Sequence, residues 1–250
     1  MNTTKPCPPE QLKLPPTLQP ALEQFAADLA SLAGDSLVSL VLYGGVARGE
    51  YDPRTSDVNV MAVFRAVNVP LLDRISPRLE QARREFDLSI MVLDEGDLPV
   101  CVDVFPLKFR DIQRYHCVLR GKSLLVETDF TRERIKRQCQ RQIQNTQLRL
   151  RQLYLQRVRW PERLEDALEE MLSSFLHDLA AVIELQSGEI PGSRAATIEA
   201  AQRLGLPSQV LRDLLEVRRG GLQPGAEELK KLYGNFISVV DQTQHLLEKL

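Results

Sequence analysis

The sequence predicts an α+β fold, with a mixed β-sheet domain in the N-terminal half and an all-helical bundle in the C-terminal half. Short apolar runs of the strand type alternate with helical patterns between residues 18 and 130. Residues 131–159, in contrast, contain neither proline nor glycine and begin an almost continuous helical pattern. The chain has 250 residues, 43% of them hydrophobic and 26% charged, so it can bury a hydrophobic core without disulfide bonds.

The first 130 residues divide into a proline-rich lead and a domain of helices and strands. Residues 1–17 contain five prolines and are expected to be flexible, and residues 18–130 are expected to form the domain. Apolar residues recur at helical spacing in segments 18–33 and 71–85. The strand-type runs are 37–43, 58–64, 87–93, 101–109 and 124–127. The fourth run is expected to be an edge strand or to carry a bulge, because Pro106 cannot donate to a sheet ladder.

Residues 131–250 are expected to form the helical domain. A first helix covers about 131–159, and a second begins at Pro161, a residue type that the first helical turn tolerates. The second helix has a broad apolar stripe, which is typical of a helix with a buried face. Loop signals rich in glycine and proline separate the remaining helices, the last of which covers about 226–250.

The net charge of −2 at pH 7 excludes a strongly basic nucleic-acid coat, although the charge is unevenly distributed along the chain. Residues 131–160 carry nine basic residues and one acidic residue. We expect this basic helix to pair its charges with the acidic segments on either side of it. The alternatives are a surface that holds substrate phosphates or an acceptor, and a surface that binds a protein partner or nucleic acid. A homo-oligomer is also compatible with the sequence.

The chain is expected to be cytoplasmic, without a membrane segment and without a zinc site. No apolar stretch approaches the ~20 residues that span a membrane. The polar, proline-rich start lacks the apolar core of a signal peptide. The four cysteines form no C-x-x-C pair, so we expect reduced, structural thiols.

The stretch between residues 41 and 65 carries the most informative motif. A strand-type run ends in the letters YGG, and the letters DVNV follow after an eleven-residue spacer. Glycines where a strand enters a helix let backbone amides approach a phosphate. Arg48 lies just beyond these glycines, within reach of a bound anion. Because alternate residues of a strand point the same way, Asp57 and Asn59 are expected on one face of the second strand.

This motif resembles the signature of the nucleotidyltransferase superfamily, which has the DNA polymerase β-like fold. That signature is a hydrophobic residue, Gly, then Gly or Ser, a spacer, and two aspartates on either side of a hydrophobic residue. The resemblance implies transfer of a nucleoside monophosphate from a nucleoside triphosphate to an acceptor hydroxyl, with two Mg²⁺ ions. It implies metal ligands at Asp57 and Asn59. It implies a nucleotide site formed by Gly44, Gly45, Arg48 and Ser56.

A second stretch, residues 103–122, resembles a segment of bacterial nucleotidyltransferase-like proteins. In those proteins the pattern D-V-F-P-(I/L)-E-F precedes a helix and a V-L-x-G turn. Together with the helical C-terminal half, this similarity points to the layout of the kanamycin nucleotidyltransferase branch.

The chain departs from the family pattern at two positions. Asn59 replaces the second aspartate, and Lys108 stands where the second stretch has glutamate, which would supply a third carboxylate. The three positions then sum to a charge of zero instead of −3. Opposite charges ~4 Å apart attract by roughly 4 kcal/mol at an effective dielectric of ~20, so this loss disfavours two bound Mg²⁺ ions. Alternatively, Asp87 at the start of the third strand-type run supplies the third carboxylate.

The sequence therefore predicts a nucleotidyltransferase-fold protein with a degenerate active site. It is expected to bind a nucleoside triphosphate or a partner, and to transfer nucleotides weakly or not at all. One alternative is an active Mg²⁺-dependent nucleotidyltransferase that uses Asp57 and Asp87. Another is an interaction or nucleic-acid-binding module that uses the basic helix 131–160. A further hypothesis is that the Lys108 ammonium stands in for a metal ion and holds a triphosphate without turnover.

Overall fold

The structure is a computed structural model that describes residues 14, 18–49, 51, 57–125 and 128–250. The chain divides into two compact units, the first ending at Phe130 and the second beginning at Thr131. The first unit contains a mixed β-sheet with helices and the second consists of helices, so the predicted α+β fold is confirmed. The expected flexible lead over residues 1–17 lies outside the described residues, apart from Leu14.

Among the described residues of the first unit, four strands form the sheet: β1 (Leu37–Tyr43), β2 (Val58–Phe64), β3 (Leu88–Asp94) and β4 (His116–Gly121). Their spatial order is β3-β2-β1-β4. β1 is antiparallel to β2 and β4, whereas β2 and β3 are parallel. The antiparallel register brings the end of β1 beside the start of β2. We call this end of the sheet the turn end, and the opposite end, where β2 and β3 finish, the far end.

Helices α1 (Leu18–Ala33) and α2 (Val69–Phe86) share a hydrophobic core with one face of the sheet. The β2 residues Val58 and Val60 point into this core and are fully buried. The side chain of Asn68 caps α2, since its Oδ1 accepts a hydrogen bond from the amide of Leu71 at 3.0 Å. Because Val58 and Val60 cover one face of β2, the side chains that alternate with them lie on its other face, which other elements can cover.

Helices α3 (Leu98–Val104) and α4 (Pro106–Arg114) contribute a second core on the opposite face of the sheet. The prediction of an edge strand over residues 101–109 is therefore wrong. Pro106 starts a helix, where its missing N–H is not needed. The buried residues Phe109 and Ile112 are three positions apart, a helical spacing. Lys108 consequently lies on a helix rather than on a strand beside Asp57.

The fourth strand is formed by a later segment than the sequence suggested. β4 pairs with β1, with Tyr43 opposite His116. The predicted fifth strand is absent over residues 124–125, and residues 126–127 lie outside the described part of the chain. The sheet is thus completed by a segment that was not predicted to be a strand.

The second unit consists of α5 (Arg132–Arg157), α6 (Pro161–Ser187), α7 (Arg194–Arg203), α8 (Ser208–Arg218) and α9 (Ala226–Glu248). α6 packs against each of the other four helices, as its broad apolar stripe predicts. Burial in this helix raises the pKa of Asp178 to about 7. No helix among the described residues is both long enough and apolar enough to cross a membrane.

The basic helix α5 forms ion pairs inside the helical unit. Arg149 and Arg157 pair with Glu170 of α6, the latter at 3.8 Å, and Arg151 lies 3.8 Å from Asp241 of α9. These contacts agree with the expectation that the positive charge of α5 is balanced by neighbouring acidic helices.

Candidate functional site

The segment after β1 forms a tight turn over residues 44–49, which we call the glycine turn, where a helix start was predicted. The amide of Arg48 donates to the carbonyls of Gly44 and Gly45, both at 3.1 Å. Gly44 has a φ of 78°, in the left-handed region that favours glycine. The amides of residues 45–47 have no hydrogen-bond acceptor within the described part of the chain. Successive amides in a turn are donors of the kind that bind anions.

Asn59 packs against the glycine turn from the neighbouring strand. Tyr43 and Asn59 are partners in the register of β1 and β2. A Cβ atom at Gly44 would lie 3.4 Å from Nδ2 of Asn59, so the glycine permits a close approach of the two segments. Asn59 alternates with the buried Val58 and Val60 and so belongs to the opposite face of β2. The structure thus brings the two halves of the sequence motif together.

Tyr43 lies between two of the predicted site residues. Nζ of Lys108 is 5.9 Å from the centroid of the Tyr43 ring. Burial raises the pKa of Tyr43 to about 12, and the nearby carboxylate of Asp57 adds to this rise. Asp57 and Lys108 are both exposed. An anionic and a cationic side chain therefore flank the same tyrosine at the turn end of the sheet.

Arg48 is held by the C-terminal part of α4. Its Nη2 donates to Oδ2 of Asp111 in an ion pair, and its guanidinium carbon lies 5.0 Å from the centroid of the Tyr115 ring. Its Nε is buried and has no hydrogen-bond partner among the described residues. The sequence analysis did not identify Asp111 and Tyr115. Asp111 follows Lys108 by three positions, a spacing that places both on one face of α4 and was the available signal. Tyr115 directly follows the helix.

Asp87 lies directly before β3, at the C-terminal cap of α2. It is exposed and adopts φ 52° and ψ 52°, a left-handed conformation that Asp tolerates better than most residues. Its carbonyl accepts a hydrogen bond from the amide of Val58 at 3.1 Å, so its backbone borders the start of β2. The register partner of Asn59 on β3 is Ser89, whose side chain carries no carboxylate that could replace the missing one.

The turn end offers few ligands for Mg²⁺ among the described residues. Ser56 lies outside the described residues. Within the described ranges, no group of three or more His, Cys, Asp or Glu side chains could hold a metal ion. The motif supplies one carboxylate, Asp57, and one neutral amide, Asn59. Mg²⁺ is commonly bound by one or two carboxylates together with substrate phosphates. These donors suit one ion that arrives with a triphosphate, but they do not fit a pair of ions held by the protein.

The fold is similar to that of a solved adenyltransferase. The crystal structure of spectinomycin adenyltransferase AAD(9) from Enterococcus faecialis, with ATP and spectinomycin, matches with a TM-score of 0.57 and 10% sequence identity. The match covers 90% of this chain and 97% of that chain. No protein-family model matches the chain, and no curated protein matches its sequence significantly. The architecture that the two sequence motifs implied is therefore confirmed: the chain has the nucleotidyltransferase fold.

Proposed function

We propose that the first unit binds a nucleoside triphosphate at the glycine turn and that it transfers nucleotides weakly or not at all. The observation that carries this proposal is the arrangement at the turn end of the sheet. There Gly44 lies against the neutral amide of Asn59, Arg48 is part of the turn, and Lys108 lies beside the ring of Tyr43, the residue before the turn.

Binding of phosphates is supported by the donors around the turn. The amides of residues 45–47 lack acceptors within the described residues, and backbone amides are common phosphate ligands. Arginine and lysine form charge-assisted hydrogen bonds to phosphate oxygens. Lys108 is exposed above the ring of Tyr43, so its ammonium group remains accessible to a ligand.

Weak transfer follows from the shortage of carboxylates. Two-metal catalysis needs ions that stabilise both the attacking and the leaving oxygen. Asn59 contributes no charge, and its register partner Ser89 adds none. The ammonium group of Lys108 repels a metal ion, but it also supplies positive charge to a triphosphate. We therefore expect nucleotide binding to depend less on Mg²⁺ than on Lys108.

The test is calorimetric titration with ATP, GTP, CTP and UTP, each in the presence of Mg²⁺ and of EDTA. We expect at least one nucleotide to bind in both conditions, and Lys108→Met to weaken that binding. The matched control is Lys122→Met, which removes an exposed lysine that pairs with Glu95 at 3.7 Å at the far end of the sheet. Failure of all four nucleotides to bind would refute the proposed binding.

The same samples distinguish an inactive site from an active enzyme. We expect release of pyrophosphate to remain at the background rate, whereas ordinary enzymes turn over at about 1–10³ s⁻¹. Turnover at such rates would show that the site is not degenerate. If Asp87 supplies a third carboxylate, Asp87→Asn should then abolish that turnover. Asn suits this substitution because, like Asp, it tolerates the left-handed conformation at position 87.

A further inference from the structure

Arg48 is the cation of the glycine turn, yet its charge is already paired. Its guanidinium donates to the carboxylate of Asp111 on α4, which lies 63 positions away in the sequence. The side chains of Arg48 and Asp111 are only 24% and 21% exposed. Solvent ions screen a partly buried pair less than a surface pair. A ligand that uses Arg48 must therefore compete with Asp111.

The pairing leaves the guanidinium incompletely satisfied. Nε of Arg48 is buried without a hydrogen-bond partner in the described part of the chain, and the ring of Tyr115 lies 5.0 Å from the guanidinium carbon. A desolvated donor without an acceptor costs free energy. A phosphate group offers several oxygen acceptors, and the planar guanidinium binds such groups with two parallel hydrogen bonds. The contact with Asp111 is thus an arrangement that a bound phosphate can improve.

We propose that Asp111 is an internal competitor that occupies Arg48 in the nucleotide-free chain and is displaced when the phosphates of a nucleoside triphosphate bind. This inference rests on the proposed function and adds a regulation of the same site. The carboxylate lowers nucleotide affinity in two ways. The Arg48–Asp111 pair must be broken, and the released carboxylate repels the phosphates nearby.

Removal of the charge at position 111 should therefore strengthen binding. Asp111→Asn keeps the shape of the side chain and its acceptor oxygen but abolishes the negative charge. We expect the affinity for ATP to rise about fivefold, which corresponds to ~1 kcal/mol, a modest value for a partly buried ion pair. The matched control is Glu95→Gln, which neutralises the carboxylate of the Glu95–Lys122 pair at the far end of the sheet. It should leave the affinity unchanged.

A double-mutant cycle assigns the gain to Arg48. In an Arg48→Met background, Asp111→Asn should give a much smaller increase in ATP affinity, because the competition for the guanidinium no longer exists. An equal increase in both backgrounds would mean that Asp111 acts only as a distant negative charge. That result would overturn the inference.

The outcomes separate this inference from the proposed function. If neither the wild-type chain nor any variant binds ATP, the proposed function fails and the inference fails with it. If the wild-type chain binds ATP and Asp111→Asn binds equally or more weakly, only the inference fails, since Asp111 then has no effect on Arg48 or orients it productively. A measurement on the wild-type chain avoids dependence on the folding of a variant. The ¹⁵N–¹H signal of Nε of Arg48 should shift on saturation with ATP, and an unchanged signal overturns the proposed displacement.

Discussion

The two ends of the same four-stranded sheet are built differently. At the far end, a Cβ atom on Gly121 would lie only 2.2 Å from the carbonyl oxygen of Val38. The hydroxyl of the fully buried Ser39 donates to the carbonyl of Lys122 at 2.7 Å. The backbone around Gly121 therefore leaves no room for an additional methyl group.

The turn end has the opposite character. A Cβ atom on Gly49 would meet no atom within 4 Å among the described residues. Asp57 and Lys108 are exposed, and Ser89 is exposed beside Asn59. One sheet thus combines a tightly packed backbone around Gly121 with a turn end whose polar groups remain accessible. This contrast is the one expected if the proposed ligand binds at the turn end.

The largest effect that this comparison predicts is for Gly121→Ala. Alanine in the left-handed conformation at φ 76° costs about 1–2 kcal/mol, and the forced contact with Val38 adds about 1–3 kcal/mol. We expect the free energy of unfolding, measured by urea denaturation, to fall by about 2–5 kcal/mol. Gly49→Ala has a similar φ of 80° without a close contact and should lose only about 1–2 kcal/mol. Equal losses would contradict the difference between the two ends.

A smaller effect is expected for Ser39→Ala. This substitution removes the donor to the carbonyl of Lys122 and leaves that acceptor unpaired in a partly buried place. Such a loss costs about 1–3 kcal/mol in the free energy of unfolding. The matched control at the turn end is Ser89→Ala, which should change stability by no more than about 0.5 kcal/mol, since Ser89 is exposed. A larger loss for Ser89 than for Ser39 would reverse the assignment of the two ends.

The sequence correctly predicted those strands and helices of the first unit whose apolar residues follow a clear local pattern. Residues 37–43 and 58–64 are apolar runs of strand length, and Leu18–Ala33 has apolar residues at helical spacing, so these elements were recognised. The segment 101–109 has a similar apolar run but forms two short helices. Its apolar residues pack on the second face of the sheet, where Val102 and Phe109 join Val41 and Met61 in one core. This tertiary packing, rather than the local pattern, favours the helices. A local apolar run does not show which tertiary contacts the segment will make.

The candidate site shows the same limit. The proximity of Gly44 and Asn59 follows from two adjacent antiparallel strands and could be anticipated from the motif. The contacts of Arg48 with Asp111 and Tyr115 depend on where α4 packs, and the sequence analysis placed the first part of that helix, up to residue 109, in a strand. The same error assigned Lys108 to a position beside Asp57 on the sheet. The sequence therefore could not predict the long-range contacts of α4 with Arg48.

The smallest effect on stability, and the sharpest test of the turn end, is expected for Asn59→Asp. Asn59 is only partly buried beside the exposed Asp57, so we expect the free energy of unfolding to fall by less than about 1 kcal/mol. The new carboxylate should make ATP bind more tightly with Mg²⁺ than with EDTA, because Mg²⁺ prefers carboxylate oxygens to a neutral amide. Calorimetric titration in both conditions measures this difference.

Asn68→Asp is the matched control, since it makes the same chemical change four residues after β2 ends, at the far end of the sheet. Asp caps a helix as well as Asn does, so the hydrogen bond to the amide of Leu71 should persist. An equal Mg²⁺ effect in Asn68→Asp would mean that the response reflects the overall charge rather than a site. No Mg²⁺ effect in Asn59→Asp, with ATP still bound, would mean that the metal position implied by the motif lies away from Asn59. Nucleotide binding would then depend on the glycine turn and its cations alone.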